Sequence, residues 1–378
     1  MPKQHAICSA SSSARWIACP GSALINAQAE EQGSPYAQQG TDAHSLCEYL
    51  VLKALGRKVR DPTEDLSYYD AEMLESAEGY RNFVMEKLAK IKKTCPDPFV
   101  AVEQRLDFSS WVPEGFGTGD CLIVGDGILQ IIDFKYGVGV LVSAEKNTQL
   151  MCYALGALDA FGDLYDVKTV RLAIYQPRRD NISEYELSVD DLMTWADEVL
   201  VPAAKKAYAG EQEFHAGDHC QFCHIKATCR TLAEYETELL KYDLEDPAEL
   251  DDDEIAAILQ KIDSLVSWAD DVKAYALEQA LSGKHYTGFK VVEGKSNRKY
   301  TNEDAVAEAV EKAGFDPYEK RVLGITAMQK TLGKKKFDEI LSGLIYKPQG
   351  KPVLVAESDK RPEYTTVTNS DFDNMEDK

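Results

Sequence analysis

The stretch that decides the fold is residues 118–135, which read TGDCLIVGDGILQIIDFK. Two apolar runs are separated by Gly125-Asp126-Gly127, a turn of the kind that closes β-hairpins. The first run follows Asp120, and the second leads into Asp133 and Lys135. In an antiparallel hairpin the start of one strand lies beside the end of its partner, so we expect the two aspartates to be neighbours.

Paired carboxylates from Asp120 and Asp133 are ligands that suit Mg²⁺ or Mn²⁺. Lys135 comes two residues after Asp133 and faces the same side of the strand, where it could position a water or stabilise developing negative charge. His44, on an early predicted helix, is a ligand that Mn²⁺ accepts more readily than Mg²⁺. The two acids and the lysine are the minimal set of residues for metal-dependent cleavage of a phosphodiester.

Gln149 and Tyr153 extend the set, because residues four apart on a helix share a face. Their polar tips could orient Lys135, a water or a DNA backbone, and Glu103 on the preceding strand is a candidate to support the metal ligands. Taken singly, each of these residues has an ordinary structural explanation: Asp120 as a turn residue, for example, or Gln149 as part of a half-exposed helix face. The prediction therefore depends on the joint arrangement.

Outward from the hairpin, the pattern predicts an α/β fold in which a mixed sheet is flanked by helices. The first helix is expected to start at Thr41 or Asp42, and a helix between the third and fourth strands implies a crossover connection. The predicted elements are helices 41–55 and 70–93, strands 99–106, 118–124 and 128–135, helix 145–161, strand 167–175, and helices 190–209 and 253–281. We expect a first domain at 1–242, and at 243–378 an acidic linker, the long helix and a C-terminal α/β extension.

The composition narrows the class of protein. The chain has 378 residues, enough for a substantial core, and its net charge of −22 argues against broad nonspecific coating of DNA while leaving room for a local basic channel. There is no apolar run long enough to span a membrane and no signal-peptide pattern, so the expected location is the cytoplasm.

Nine cysteines in a chain without a secretion signal favour metal or cluster ligation over disulfides. Cys220, Cys223 and Cys229 form a tight trio that needs a fourth ligand, for which Cys19, before a Pro-Gly pair, is preferred to Cys8. A Cys₄ set fits an iron–sulfur cluster or Zn²⁺. A Cys₃His zinc site that uses His219 or His224 remains an alternative. The other cysteines, Cys47, Cys95, Cys121 and Cys152, are expected to be buried as small hydrophobic residues.

These residues resemble the RecB-type branch of the PD-(D/E)XK nuclease superfamily over about residues 5–235. The motif residues are His44, Gly119-Asp120, Asp133-Phe134-Lys135, Gln149 and Tyr153. The split cysteine set is similar to that of the iron–sulfur nucleases of this branch, such as AddB-type domains and CRISPR-associated RecB-like exonucleases. Later segments, 288–298 and 357–362, resemble a phage and prophage branch of uncharacterised-domain proteins.

The resemblance implies a restriction-endonuclease-like core. It implies that His44, Asp120, Asp133 and the Phe134 carbonyl bind the catalytic metal and that Lys135 is the catalytic lysine. It further implies that Cys19, Cys220, Cys223 and Cys229 hold a [4Fe–4S] cluster that joins the N-terminal segment to the region behind the core.

The leading hypothesis is thus a Mg²⁺- or Mn²⁺-dependent deoxyribonuclease that acts on ends or single strands in phage DNA replication or recombination inside a bacterial host. Phage recombination proteins or single-strand-binding proteins are possible partners. The alternatives are a catalytically weak DNA-binding or assembly module that keeps the nuclease fold, with Lys330 and Lys334–Lys336 as its contacts, and a zinc-stapled structural protein.

Overall fold

The computed structural model describes residues 6–29, 34–162, 164–238, 250–293, 298, 300–319, 321–346 and 355. The C-terminal motif at 357–362 and most of the acidic run at 243–254 lie outside these residues, as do the side chains of Lys330 and Lys334. By its contacts the chain divides into two compact units, Met1–Glu278 and Gln279–Lys378. The predicted boundary after residue 242 stays a prediction.

The first unit is built on a five-stranded mixed sheet in the order β1-β2-β3-β4-β5. β1 to β3 form an antiparallel meander, β4 runs parallel to β3 through a helical crossover, and β5 returns antiparallel to β4. The strands are β1 Phe99–Asp107, β2 Phe116–Gly125, β3 Gly127–Phe134, β4 Val167–Gln176 and β5 Asn181–Ser188. The predicted α/β class with a mixed sheet is confirmed.

Helices cover both faces of the sheet. In chain order they are α1 Ser13–Ala18, α2 Ser22–Gln28, α3 Pro35–Ala54, α4 Ala71–Ile91, α5 Thr148–Phe161, α6 Val189–Trp195, α7 Val201–Ala209, α8 Arg230–Glu236 and α9 Asp252–Leu281. One apolar core lies between the sheet and α5, α6 and α7, and it includes Trp16 and Leu122. A second core lies between the sheet and α3 and α4, and it includes Tyr80 and Phe134. Successive side chains of a strand point to opposite faces, so this sheet needs apolar residues on both.

The helix that carries His44 begins earlier than predicted, at Pro35 rather than Thr41. The Ser34 hydroxyl accepts a hydrogen bond from Ala37 N at 3.1 Å, and proline suits the first helical position because it lacks the N–H that would be left unpaired there. Asp42, which was expected as a cap, is buried inside the helix and accepts hydrogen bonds from Gln38 and from the Tyr68 backbone.

The predicted helix at 190–209 is interrupted by a π-helical turn, Ala196–Leu200, between α6 and α7. Pro202 lies in the first turn of α7 and has no backbone N–H to donate to the carbonyl four residues earlier, which lies within this π-helical turn. The prediction lacked four further elements. These are the edge strand β5 and the short helices α1, α2 and α8.

In the second unit the described residues form helices α10 Glu303–Lys312, α11 Ile325–Leu332 and α12 Lys334–Leu341. The strands expected in this α/β extension are not found among the described residues of the unit. Across the described part of the chain, no helix has both the length and the apolar character that crossing a bilayer requires.

Candidate metal centre and cysteine pocket

Three carboxylates lie in a row across three neighbouring strands. In the β2–β3 ladder Cys121 pairs with Ile132, so the next positions outward, Asp120 and Asp133, are opposite each other. The β1–β2 register likewise places Glu103 opposite Asp120. Directly opposed residues of an antiparallel pair share a face of the sheet, so negative charge is concentrated at this one point.

His44 reaches this row from α3. Its Nδ1 lies 3.4 Å from Asp120 Oδ1 and 3.9 Å from Glu103 Oε1. The ligand atoms of His44, Glu103 and Asp120 all lie within 4.8 Å of one another. The second oxygen of Asp120 is fixed by the backbone N–H of Phe134, which donates to it at 2.7 Å. This hydrogen bond ties the carboxylate on β2 to the residue between Asp133 and Lys135.

Glu103 adopts a backbone conformation that is unusual for a strand. Its φ of +49° lies in the left-handed region, which residues other than glycine occupy at a cost of about 1–2 kcal/mol. The regular pairing of β1 with β2 is interrupted at this residue and resumes on either side of it. The residue with this unusual conformation is therefore the one whose carboxylate approaches His44.

A second polar network begins at Asp133, which is buried. Lys135 Nζ lies 3.0 Å from Asp133 Oδ2 and donates to Gln149 Oε1 at 3.1 Å. Gln149 Nε2 in turn donates to Tyr153 Oη at 3.0 Å and more weakly to Asp133 Oδ1 at 3.5 Å. The network therefore holds the lysine between a carboxylate and an amide.

Local sequence features place Gln149 and Tyr153. Asn147 caps α5 by accepting a hydrogen bond from Leu150 N, which puts Gln149 in the first turn. The Tyr153 ring lies against β2 at Gly117, where an added Cβ would come within 2.7 Å of the ring. A larger residue at that position would displace the tyrosine.

The charges in this region shift the proton affinities of the site. Burial lowers the pKa of His44, but Asp120, Asp133 and Glu103 outweigh it and raise that pKa to about 9. Burial, followed by repulsion from Asp120, raises the pKa of Glu103 to about 7 even though His44 opposes the change. Burial also raises the pKa of Asp133, against the attraction of Lys135.

The donor set fits a divalent cation. Two carboxylates and an imidazole converge, and the Asp133 carboxylate lies beside them. Asp133 Oδ2 is buried without a hydrogen-bond partner of ordinary geometry, although Lys135 is its ion-pair neighbour. The imidazole favours Mn²⁺ over Mg²⁺. Of the predicted metal ligands, His44 and Asp120 belong to the tight group, Glu103 joins them, and Asp133 faces Lys135 and Gln149; ligation by Asp133 and by the Phe134 carbonyl stays a prediction.

The four cysteines predicted to form a set lie around one pocket, although Cys19 is about 200 residues from the other three in the sequence. Cys19, Cys220, Cys223 and Cys229 all line this pocket, together with His215 and His219. The N-terminal segment is held there by Gly21 N, which donates to Glu213 O at 2.9 Å, and by His215 N, which donates to Cys19 Sγ at 3.4 Å.

Two polar side chains support the cysteine pocket from the N-terminal helices. Arg15 lines it, and the nearby cysteines Cys223, Cys19 and Cys8 partly offset the lowering of its pKa by burial. Asn26 donates to Cys223 Sγ at 3.4 Å and accepts from His224 N. The guanidinium places positive charge beside these cysteines, which would stabilise a negatively charged metal–thiolate group.

The remaining cysteines match the prediction for small buried residues. Cys47, Cys95, Cys121 and Cys152 are buried and free, and Cys8 is buried in the same apolar core as Trp16. Desolvation raises the pKa of the Cys8 thiol to about 12, which makes it a poor ligand. Cys8 and His224 do not line the pocket.

Comparison with known proteins gives a family. A family model described as "Protein of unknown function (DUF2800)" matches residues 5–362. The chain belongs to the DUF2800 family. A solved structure titled "Crystal structure of SSO0001" shares 16% sequence identity with this chain. The aligned region covers 51% of this chain and 98% of that chain. Its TM-score is 0.22, so this likeness carries no argument.

The predicted resemblance to an uncharacterised-domain family along most of the chain is confirmed by the DUF2800 match. The sequence interpretation missed the role of two residues. Glu103 was expected only to support the ligands, and its position opposite Asp120 depends on the β1–β2 register. Arg15 was not singled out, although it stands four residues before Cys19.

Proposed function

We propose that this DUF2800 protein is a metal-dependent deoxyribonuclease with a restriction-endonuclease-like core. The observation that carries the proposal is the group of His44, Glu103 and Asp120 beside the Asp133–Lys135–Gln149 network. Oxygen-rich groups with one imidazole suit Mn²⁺ or Mg²⁺, and a partly buried lysine beside such a group suits phosphoryl chemistry. The resemblance to RecB-type nucleases, iron–sulfur members included, is part of the same proposal.

The proposed roles follow from the contacts. His44, Glu103 and Asp120 hold the divalent cation, with Asp133 as a further carboxylate. The bound cation supplies Lewis-acid activation of phosphate and water. Burial lowers the pKa of Lys135, but Asp133 and Asp120 together outweigh it and raise that pKa, which keeps the lysine protonated. Gln149 accepts a hydrogen bond from Lys135 and so fixes the direction of the ammonium group, and Tyr153 fixes Gln149.

A protonated lysine in this position donates rather than accepts a proton. It therefore orients the attacking water by donating a hydrogen bond to the water oxygen. It also stabilises the negative charge that develops on the phosphate oxygens. The proton of the attacking water has to leave by another route, and Asp133, which pairs with Lys135 at 3.0 Å, is a carboxylate placed to accept it.

The cysteine pocket is proposed to hold a [4Fe–4S] cluster. A tetrahedral Zn²⁺ site with Zn–S bonds of about 2.3 Å places its thiolate sulfurs less than about 4 Å apart. Within the described part of the chain, which includes all nine cysteines, no three thiols lie within 4.8 Å of one another. The wider spacing favours a group larger than one ion. The cluster would then join α1 and α2 to the segment after α7.

DNA is the proposed substrate, with phage replication or recombination as its setting and recombination or single-strand-binding proteins as partners. The test is a panel of end-labelled single-stranded, duplex and flap DNA with Mn²⁺ or Mg²⁺ under anaerobic conditions. Release of labelled products that stops with EDTA supports the nuclease. Binding without cleavage of any substrate would favour the catalytically weak DNA-binding module instead.

A further inference from the structure

A short apolar loop follows the proposed catalytic lysine and faces solvent. Val138, Val140 and Leu141 are 46%, 45% and 50% exposed, and glycines separate or precede the two valines. We call these three side chains the aliphatic ridge. Exposed apolar residues are common singly, but three in four positions beside a candidate active site need an explanation.

The loop is fixed to the sheet by two buried amide side chains. Gln176 Nε2 donates to Gly137 O at 3.0 Å and to Val140 O at 2.8 Å, and its Oε1 accepts from Val142 N at 3.2 Å. Asn181 Nδ2 donates to Val142 O at 2.8 Å. Both amides are buried, so releasing the loop would remove their hydrogen bonds to its backbone and leave only the bond from Asn181 Nδ2 to Gln176 Oε1. The ridge is therefore held outward, where it cannot fold onto the core.

Positive charge accompanies the ridge. The exposed Arg179, on the turn between β4 and β5, donates from Nη1 to Val138 O at 3.1 Å. The neighbouring Arg178 lies 4.8 Å from the centre of the Tyr136 ring, one residue after Lys135. Arg178 pairs with Glu72 at 3.0 Å, so in a chain with a net charge of −22 the exposed Arg179 is the guanidinium at this point that suits an anionic partner.

We propose that the aliphatic ridge contacts the bases of the nucleic-acid strand that enters the metal centre, while Arg179 contacts its phosphates. This inference rests on the proposed function. Apolar side chains that face DNA bases act as wedges against stacked pairs, and a guanidinium beside them binds the backbone. Val138 follows Lys135 by three residues and its carbonyl accepts from Arg179, so the strand bound at Lys135 is the occupant that fits this pairing of apolar and cationic groups.

The ridge variant combines Val138→Ser, Val140→Ser and Leu141→Ser. Its matched control is Leu164→Ser, another exposed apolar side chain, 74% exposed, which precedes β4 at the end of the sheet away from Lys135. Two readouts are used. One is the affinity for a fluorescent single-stranded oligonucleotide in Ca²⁺, which needs no cleavage. The other is Mn²⁺-dependent hydrolysis of DNA and of bis(p-nitrophenyl) phosphate, a small ester without bases.

Loss of base contacts should raise the Kd for the oligonucleotide and the KM for DNA about tenfold in the ridge variant, with the control at the wild-type values. Equal Kd values for the ridge variant and wild type would overturn the inference, and so would wild-type protein that binds no oligonucleotide. Loss of small-ester hydrolysis in the ridge variant would also overturn it, because the loop would then shape the metal centre. If wild type binds DNA through the ridge but hydrolyses neither substrate, the inference stands and the proposed nuclease function fails.

Discussion

Glu103 lies directly opposite Asp120 in the β1–β2 register, and both carboxylates approach Nδ1 of His44. The left-handed φ of Glu103 and its raised pKa both mark a residue held where an isolated carboxylate would be unfavourable. A bound cation would compensate both the repulsion and the burial. This pair is therefore the most informative part of the candidate centre.

Glu103→Gln should weaken Mn²⁺ binding roughly 10- to 100-fold, because it removes a charged ligand while keeping the shape of the side chain. Isothermal titration of metal-free protein measures this directly. Glu198→Gln, an exposed carboxylate on the π-helical turn, is the control and should bind Mn²⁺ as wild type does. Equal affinities for the Glu103 variant and wild type would remove Glu103 from the centre.

The stability of metal-free protein should fall as the pH rises from about 5 to about 9. Two groups act in the same direction. The pKa of Glu103 is raised to about 7 in the folded state, above its value in the unfolded chain. The stability that its proton contributes is therefore lost as the pH rises through that folded-state pKa. The pKa of His44 is raised to about 9, so its stabilising charge is fully present below the unfolded pKa and is lost through the folded one.

Mn²⁺ should reverse this trend, since the cation replaces the protons on both groups. Its affinity should rise as the pH goes from about 7 to about 9, with proton release on binding. Thermal unfolding with and without Mn²⁺ at several pH values measures both effects. A metal-free stability that rises over this range would show that the two groups do not share one site.

Lys135→Ala should reduce Mn²⁺-dependent DNA hydrolysis roughly 100- to 1,000-fold, because the charge that stabilises the transition state is lost. The variant also leaves Asp133 buried without its cation, so circular dichroism must show that it folds. Lys168→Ala changes an exposed lysine at the start of β4 and should keep full activity. Similar rates for the two variants would contradict the role of Lys135.

Cys229→Ser should remove the colour of anaerobically purified protein. Wild type should be brown and hold about four irons per chain, as ligation of a [4Fe–4S] cluster by four cysteines requires. Cys95→Ser, at a buried cysteine distant from the pocket in sequence, should keep the iron. Colourless wild-type protein with one zinc per chain would show that the pocket holds zinc and not an iron–sulfur cluster.

The stability of the cysteine region supplies a second readout. α9 packs beside the pocket through Lys226, which pairs with Asp271 at 2.8 Å and whose carbonyl accepts from Trp268. Hydrogen exchange around residues 215–236 and 264–271 should therefore quicken in Cys229→Ser. Unchanged exchange would mean that the pocket folds without any bound group.

The β2–β3 hairpin could be predicted because two local signals agree there. A Gly-Asp-Gly turn separates apolar runs of strand length, and the register that brings Asp120 opposite Asp133 follows from the turn. β5 was missed because it alternates apolar with charged residues at the edge of the sheet and follows a Pro-Arg-Arg turn. A weak alternation of this kind has little signal until a neighbouring strand pairs with it.

Of the contacts in the candidate site that join distant parts of the sequence, some could be predicted and others could not. Cys19 could be assigned to the cysteine set because thiolates have few other partners and three were already close in sequence. The approach of Glu103 to His44 could not be predicted, because it joins a left-handed strand residue to a helix about 60 residues earlier. Arg15 is a further case, since its proximity to the cysteines depends on how α1 packs.

The most direct test of the metal centre is Mn²⁺-dependent release of labelled nucleotides from end-labelled DNA by anaerobically prepared wild type and Asp133→Asn. The account predicts that wild type releases nucleotides, that EDTA stops the release, and that Asp133→Asn shows none above background while remaining folded. Release by Asp133→Asn at the wild-type rate, or by wild type in excess EDTA, would contradict it.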